Sequence, residues 1–374
     1  MKILLIIRSL DVGGTETQIA QLARGLARRG IDVRIAVFYT GGVIEKQLQT
    51  HSIQVTNLNK GGRWDIAMFT LRLRKLIKSY EPDVVYGFLT ESNLCALLCK
   101  LFSRKVVVAW GVRASISDIR IRKYDCFVLI EYVLAKLLSR FTDLIISNSL
   151  SSKQFHEKAG FKPPLYYVIE NGVDTDRFRK ARDLGEALRR ELSIRQETKL
   201  IGLVARLDPI KDHKTFIEAA SILYKKRSDV MFMCVGTGSS QYQRVLIEEV
   251  NRKQLTEAIL WLGERNDMVR VYNALEINTL CSLSESFPNS VCEAVSCCVP
   301  CVVTDVGDIA AIVGNAGIVI GQKKPDELAA AWSELLDNKS FDREKILDQA
   351  RERLKNRFGV EFMVDRTIEV LFKH

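Results

Sequence analysis

Residues 277–304 read INTLCSLSESFPNSVCEAVSCCVPCVVT, and the order of residue types in this stretch decides the fold. Ile277 to Cys281 is a short, nearly uncharged run, a helical stretch carrying Glu293 follows, and Pro300 to Thr304 is a second apolar run. Short strands apolar on both faces, separated by a helix, belong to a parallel sheet covered on both sides. Glu285 stands at the end of the strand-like segment INTLCSL, and Glu293 follows eight positions later in the first turns of the helix. The loop between them has backbone amides free to meet a ligand. Two glutamates at this spacing are frequent by chance; their placement after a strand, with Gly307 following the next strand in TDVGD, sets this pair apart.

The same alternation runs outward in both directions. Leu200 to Ala205, Val230 to Val235 and Ile259 to Leu262 read as buried strands before this unit. In the first half Ile3 to Ile7, Val33 to Phe38, Val84 to Phe88, Val106 to Ala109 and Leu144 to Ser147 do so, with helices at Thr15 to Arg29, Asp65 to Tyr80 and Asn93 to Phe102. The pattern predicts an α/β protein of two Rossmann-like, doubly wound domains whose strand carboxyl ends face a central cleft. The expected boundaries are 1–170 for the first domain, a polar linker at 171–197, and 198–355 for the second. Residues 356–374 are expected to form a helix that crosses back to the first domain, with Phe362, Met363, Ile368 and Leu371 at helical spacing.

Composition narrows the class. The chain has 374 residues, 47% hydrophobic and 27% charged, with 7 prolines, 22 glycines and no biased run, which excludes collagen-like and disordered chains. No uncharged stretch reaches the roughly 18 residues of a membrane span, and Ile3 to Ile7 between Lys2 and Arg8 is too short for a signal peptide. A cytoplasmic protein is expected. Its nine cysteines, an odd number, are read as reduced thiols, and Cys298-x-x-Cys301, with no second pair or nearby histidine, as structural.

The net charge of +10 is unevenly placed: residues 1–170 hold 25 Lys+Arg and 14 Asp+Glu, whereas 171–374 hold 30 and 31. A basic half beside a neutral one suggests that one domain meets an anionic surface, phospholipid or nucleic acid. The segment FTLRLRKLIKSY (69–80) interleaves Arg72, Arg74, Lys75 and Lys78 with leucines, and a second cluster, Arg120, Arg122 and Lys123, precedes the apolar run from Phe127 to Leu138. Either fits an anionic membrane surface, and either apolar face equally fits packing on the sheet.

Three further motifs follow strands. Gly13-Gly14-Thr15-Glu16 opens a helix, a place for a phosphate or sugar oxygen or simply a tight turn. It lacks the G-x-G-x-x-G of a dinucleotide site. Arg206 and Lys211, in RLDPIKD after the strand LIGLVA, are two cations suited to a diphosphate. Gly236-Thr237-Gly238 repeats phosphate-friendly chemistry after the next strand.

Taken in order, these residues resemble a retaining glycosyltransferase of family 4 with the GT-B fold. The resemblance runs through KILLIIRSLDVGGTE (2–16), VIENGVDTDRF (168–178), GLVARLDPIKDH (202–213), VGTG (235–238), LGERND (262–267) and SESFPNSVCEAVSCCVPCVVTDVGD (284–308), and so covers nearly the whole chain. It implies that Arg206 and Lys211 hold the donor diphosphate, that Glu285 contacts the sugar ring, and that Glu293 binds the ribose hydroxyls. Gly236 and the loop of Phe287, Asn289, Ser290 and Val291 complete the donor site, with Arg265 beside the base and Gly14 reaching from across the cleft. Glu285, Arg206 and Lys211 are the implied catalytic set.

The first domain departs from the commonest family pattern. Many relatives place a histidine where this chain has Trp110-Gly111-Val112-Arg113, and none of its four histidines stands there. FLTESN and WGVR resemble a branch found in surface-polysaccharide synthesis, which makes Glu91, Asn93 and Arg113 acceptor-side candidates. A helix cap for Asn93 and an ion pair for Arg113 stand beside that reading. Asp174-Thr175-Asp176 spells a D-x-D, the metal motif of another glycosyltransferase fold, but it lies at the start of the polar linker; with Arg206 and Lys211 as countercharge, neither metal nor other cofactor is expected.

The resemblance thus implies transfer from a UDP- or GDP-linked sugar to a lipid-linked or growing polysaccharide acceptor, in O-antigen, capsule or exopolysaccharide synthesis, at the inner face of the cell membrane. The competing readings are a nucleotide-sugar epimerase or soluble glycan synthase on the same fold and, outside enzymes, a basic nucleic-acid-binding protein. An epimerase calls for histidine or further carboxylates at the sugar, and a nucleic-acid binder calls for interleaved aromatics, which are only 8% of this chain. No nucleic-acid partner is expected.

Overall fold

A computed structural model of the protein describes residues 1–11, 13–62, 65–113, 126–337 and 342–373. The basic cluster Arg120, Arg122 and Lys123 lies outside the described residues. The chain divides into two compact units, Met1–Gly172 with Val360–His374, and Val173–Gly359.

The first unit is built on a seven-stranded parallel sheet in the order β3-β2-β1-β4-β5-β6-β7. Its strands are β1 (Lys2–Ile7), β2 (Asp32–Val37), β3 (Gln54–Asn57), β4 (Val84–Phe88), β5 (Val107–Val112), β6 (Leu144–Ser147) and β7 (Leu165–Val168). Strand residues alternate between two cores. Ile3, Leu5 and Ile7 of β1 enter the core beneath α1 (Gly14–Arg28) and α2 (Val43–Gln49), while Leu4 and Ile6 enter the core on the opposite face. That second core is closed by α3 (Ile66–Tyr80), α4 (Thr90–Leu98) and α5 (Cys126–Leu138); α6 (Leu150–Ala159) precedes β7.

The second unit holds a six-stranded parallel sheet, β10-β9-β8-β11-β12-β13. Its strands are β8 (Lys199–Val204), β9 (Val230–Val235), β10 (Ile259–Trp261), β11 (Ile277–Leu280), β12 (Cys301–Thr304) and β13 (Gly317–Ile320). The stretch expected to be a polar linker is not one. It contains α7 (Arg182–Glu191), whose Leu188 is fully buried in the core of this unit. The helices that follow are α8 (His213–Tyr224), α9 (Ser240–Arg252), α10 (Met268–Ala274), α11 (Asn289–Ser296), α12 (Ile309–Val313), α13 (Pro325–Asp337) and α14 (Asp342–Phe358).

The last helix, α15 (Val360–Phe372), belongs to the first unit and packs on α1. The approach is so close that a Cβ on Gly25 would lie 2.3 Å from Val364 Cγ2. Arg29 fixes the pair through Asp365 at 2.7 Å and Glu361 at 2.8 Å. No described helix is long and apolar enough to cross a membrane.

Candidate functional site

In each sheet the strand order reverses at one place, between β1 and β4 in the first unit and between β8 and β11 in the second. There the loops leaving adjacent strands diverge to opposite faces and open a crevice at the strand carboxyl ends. The second unit puts Arg206 and Lys211 just after β8 and Glu285 just after β11, so three of the predicted residues converge on its switch point.

The β8 loop is held in shape by its own hydrogen bonds. Leu207 N donates to Thr237 O at 2.9 Å, and Asp208 caps a single 3-10 turn at Pro209–Lys211 by accepting from Ile210 N at 3.1 Å. Asp212, in the left-handed region at φ 48°, then caps α8, with Thr215 Oγ1 donating to its carboxylate at 2.7 Å. Leu283 N donates to Ile210 O at 2.8 Å, tying the β11 loop to the β8 loop. Gly236 is required by close approach: at φ 138°, a Cβ there would lie 2.2 Å from Ala205 O.

Within this frame Lys211 Nζ meets Glu285 Oε1, and Ser282 Oγ donates to the same oxygen at 2.6 Å. Arg206 remains largely exposed and pairs with Asp208 at 3.1 Å. Its position at the strand end leaves the guanidinium open to an anion. Phe287 is buried edge-to-face against Phe358, 5.3 Å between ring centroids, which anchors the loop that feeds Asn289, Ser290 and Val291 into α11. That helix has no side-chain cap at its start.

Glu293 sits on α11, with Tyr272 Oη donating to its Oε2 at 2.8 Å. Burial pushes the Glu293 carboxyl above its ordinary value, and the Tyr272 hydrogen bond and Arg177 pull it back only in part. A carboxyl held at this cost suits a group whose remaining lone pairs await hydroxyl donors.

Arg265 departs from the picture of a cation free to line a base. Its guanidinium is committed to Asp267 at 2.7 and 2.8 Å and to Glu191 at 3.2 Å, and Arg270 bridges the same two acids at 3.0 and 2.8 Å. Asp174 of the D-x-D accepts from Arg177 N at 2.9 Å in a turn. Of the C-x-x-C, Cys301 is buried in β12, while Cys298 is half-buried and donates toward Asp348 Oδ1 at 3.4 Å; burial pushes its thiol up to about 11. A wide concavity of about 1250 Å³ in this unit lies at the other pole, beside Lys199, Glu276 and Pro300 at the strand amino ends, away from these groups.

Of the acceptor-side candidates, Glu91 and Asn93 follow β4 at the switch point of the first unit, where Gly14 opens α1 after β1, and Arg113 follows the neighbouring β5. Asn93 neither caps a helix nor stands open to a ligand. It is 2% exposed, its Nδ2 donates to Gly111 O at 3.0 Å, and its Oδ1 accepts from Gly111 N at 3.1 Å, clamping α4 to β5. Glu91 pairs with Lys60 and lies 3.7 Å from Arg8. Arg113 stacks over Phe88 at 5.2 Å and donates to Asn171, while its buried Nε has no partner among the described residues. The residues that sequence reasoning passed over are Ser282, Tyr272 and His213. The first two act on the paired glutamates; His213, wholly buried at the start of α8 beside the Lys211 loop, has no partner for either ring nitrogen among the described residues.

Two family models match the chain: Glycosyltransferase Family 4 over residues 12–177 and Glycosyl transferases group 1 over residues 198–338. The chain is 24% identical to UDP-Gal:alpha-D-GlcNAc-diphosphoundecaprenol alpha-1,3-galactosyltransferase of Escherichia coli, over 79% of this chain and 76% of the relative. It is also 24% identical to N-acetylgalactosamine-N,N'-diacetylbacillosaminyl-diphospho-undecaprenol 4-alpha-N-acetylgalactosaminyltransferase of Campylobacter jejuni, over 81% and 80%. Among solved structures, Anabaena HepE in complex with UDP and glucose matches with a TM-score of 0.88 at 22% identity over the whole of both chains. WaaG, a glycosyltransferase involved in lipopolysaccharide biosynthesis, matches with a TM-score of 0.77 at 15% identity, again over both whole chains. These structural likenesses establish the fold.

Proposed function

The chain belongs to the glycosyltransferases of the family 4 and group 1 type, with the two Rossmann-like domains of the GT-B fold, and on that premise we propose that it transfers a hexose with retention from a UDP- or GDP-linked donor to a lipid-linked or growing polysaccharide acceptor. The observation that carries this reading is the convergence of Arg206, Lys211 and Glu285 on the switch point of the second unit. Two cations neutralise charge that grows on the departing diphosphate, and a carboxylate steadied by Ser282 orients sugar hydroxyls. The lipid-linked acceptor is supported by the names of the Escherichia coli and Campylobacter jejuni relatives, both of which act on diphosphoundecaprenol-linked sugars. We place the activity in O-antigen, capsule or exopolysaccharide synthesis, at the inner face of the cell membrane.

Retention follows from attack on the face that the diphosphate leaves. The acceptor oxygen forms its bond to the anomeric carbon as the bond to the phosphate oxygen breaks, and the acceptor proton passes to that phosphate oxygen. No side-chain base is then needed. With Arg206 and Lys211 carrying the countercharge, no divalent metal is needed either.

The test is a panel of UDP- and GDP-sugars offered with a polyprenyl-diphosphate-linked sugar acceptor, with Arg206→Ala as the comparison. A cognate donor at a hundred times its Kd stabilises the wild type by roughly 2.7 kcal/mol, and the variant by much less. The product is expected to keep the donor's anomeric configuration by NMR, and turnover to survive EDTA. An inverted product, or loss of turnover in EDTA that metal restores, overturns the corresponding step.

A further inference from the structure

The first unit holds a cavity of about 110 Å³ between β5 and the helices α4 and α5. It opens at the carboxyl end of the sheet, where Val112 is the last residue of β5 and Thr90 and Asn93 stand in the first turn of α4. The acceptor-side candidates Glu91 and Arg113 are chain neighbours of these lining residues. None of the described residues that line the cavity is charged, and most are apolar, Val112, Ala135 and Phe161 among them.

Two donors belong to this wall and have no acceptor. Trp110, wholly buried in β5, finds no partner for its Nε1 hydrogen among the described residues. The hydroxyl of Tyr132 on α5 is buried in the same condition. Buried polar groups are costly to leave unpaired, so two on one cavity point to an occupant that accepts from them. His156 supplies the opposite polarity. It is 3% exposed, and its Nδ1 lies 2.8 Å from Ser152 O. A carbonyl oxygen only accepts, so Nδ1 carries the hydrogen and Nε2 is left as an acceptor. Burial lowers this imidazole to about 4 and so keeps it neutral. Phe161 packs against both rings, edge-on to His156 at 4.9 Å between centroids and tilted against Tyr132 at 5.5 Å, which fixes their positions.

We propose that this cavity receives the 2-acetamido group of the acceptor sugar, whose carbonyl takes the free donors of Trp110 and Tyr132, whose N–H meets Nε2 of His156, and whose methyl lies on the apolar wall. A secondary amide carries one acceptor, one donor and one methyl, and the wall offers the complement of each. Other occupants fit less of it. A phosphate or carboxylate would lose its water with no cation on the wall to replace it. A prenyl chain would leave both donors unpaired. Several waters fit the volume and would satisfy the donors, but they gain nothing from Val112, Ala135 and Phe161. The inference rests on the lipid-linked sugar acceptor proposed above and deepens it by naming the substituent that the protein selects.

The full chain, without donor, is titrated with short-chain prenyl-diphosphate-linked sugars that differ only at carbon 2: N-acetylglucosamine against glucose, and N-acetylgalactosamine against galactose. Calorimetry gives the Kd of each, and saturation-transfer NMR reads which ligand protons lie on the protein. In one of the two pairs the acetamido ligand is expected to bind about 10–100-fold more tightly than its hydroxyl counterpart, with strong saturation of its acetyl methyl. Tyr132→Phe and Trp110→Phe each remove one donor and are expected to lower this ratio several-fold; Ala135→Leu, which fills the cavity, is expected to abolish it. Tyr132→Phe is nearly isosteric and relieves an unpaired hydroxyl, so it is expected to melt at or above the wild-type temperature, and it carries the test where the other two fail to fold. Equal Kd within both pairs overturns the proposal and leaves the cavity to water, while the lipid-linked acceptor stands. A preference undiminished in Tyr132→Phe and in folded Trp110→Phe overturns it as well, since the acetamido group then sits elsewhere. Binding of none of the four ligands removes the acceptor reading itself, and the cavity assignment with it.

Discussion

The ammonium of Lys211 lies against the carboxylate of Glu285, and both are mostly buried, with side chains 21 and 10% exposed. A cation assigned to the donor diphosphate is thus already engaged by the carboxylate assigned to the sugar. Glu285→Gln releases Lys211, so it is expected to leave donor Kd unchanged or lower while turnover falls about 10²–10³-fold. Lys211→Ala is expected to weaken both, since it also leaves Glu285 buried without its partner. Calorimetric titration of donor beside steady-state kinetics separates the two; equal losses of affinity and turnover in Glu285→Gln would remove the split.

Glu293 is expected to trade stability for binding. Its carboxyl is pushed up by burial from an ordinary value of 4.5, so the folded state holds this proton more tightly than the unfolded state. That contribution is fully present below about 4.5 and is lost as pH rises through the folded value. Glu293→Gln removes the pH dependence and is expected to melt at or above the wild-type temperature near neutral pH. Donor binding is expected to weaken about 10–100-fold, as for lost hydrogen bonds to a charged group. Thermal melts across pH, paired with donor titration, check both halves.

Two buried histidines pull the other way. Burial lowers His156 and His213 to about 4 from an ordinary 6.5, so both stay neutral in the folded protein while their unfolded counterparts take up protons. Stability from this source is complete above 6.5 and is lost as pH falls toward 4, by an amount on the order of 3 kcal/mol for each. His156→Leu and His213→Leu are each expected to flatten the acid limb of a denaturation series. An unchanged limb in both would rule these residues out as its source.

The four-membered cluster of Arg265, Asp267, Arg270 and Glu191 is expected to act first on stability. Arg265→Ala should cost about 1 kcal/mol, less at high salt, because the pairs are partly exposed. Asp267 is held down to about 2 by Arg265, so its contribution is present above 3.8 and is lost as pH falls through 2. Donor affinity in Arg265→Ala decides whether the residue also meets the nucleotide base: a tenfold rise in Kd assigns it that contact, and no change makes it purely structural.

Some of this is written plainly in the sequence. The strands that sequence reasoning finds are apolar runs from sheet interiors, where both faces are buried, with only β10 at an edge. The three it misses, β3, β7 and β13, are all edge strands, four residues each and largely half-exposed; β3 (QVTN) carries no apolar run, and those of β7 (LYYV) and β13 (GIVI) are short. Arg206, Lys211 and Glu285 are legible because each follows closely on a strand flanking the switch point. The partners of the candidate residues are not: Ser282 donates to Glu285, Tyr272 reaches Glu293 from α10, and Asn93 reaches Gly111 across eighteen positions. Such pairings depend on where the chain folds back. The 171–197 stretch misled for the opposite reason, since α7 is densely charged yet buries Leu188 on a single narrow stripe.

The return of α15 to the first unit has a consequence for how the polypeptide is made. Gln18, buried in α1, makes paired hydrogen bonds of 2.8 Å with Gly172 at the point where the chain leaves the first unit, and Gly172 N also donates to Met363 Sδ at 3.2 Å. The α1 surface that α15 covers includes Gly25, which has no side chain of its own to fill the space that Val364 occupies. During synthesis the first 172 residues leave the ribosome long before the segment that closes their core, and the whole second unit is translated in between. The two units therefore do not mature in the order in which they are made. The second can close as soon as its own residues are out, while the first must wait for the final fifteen. Loss of residues 360–374 would remove the completion of the part of the chain that is made first.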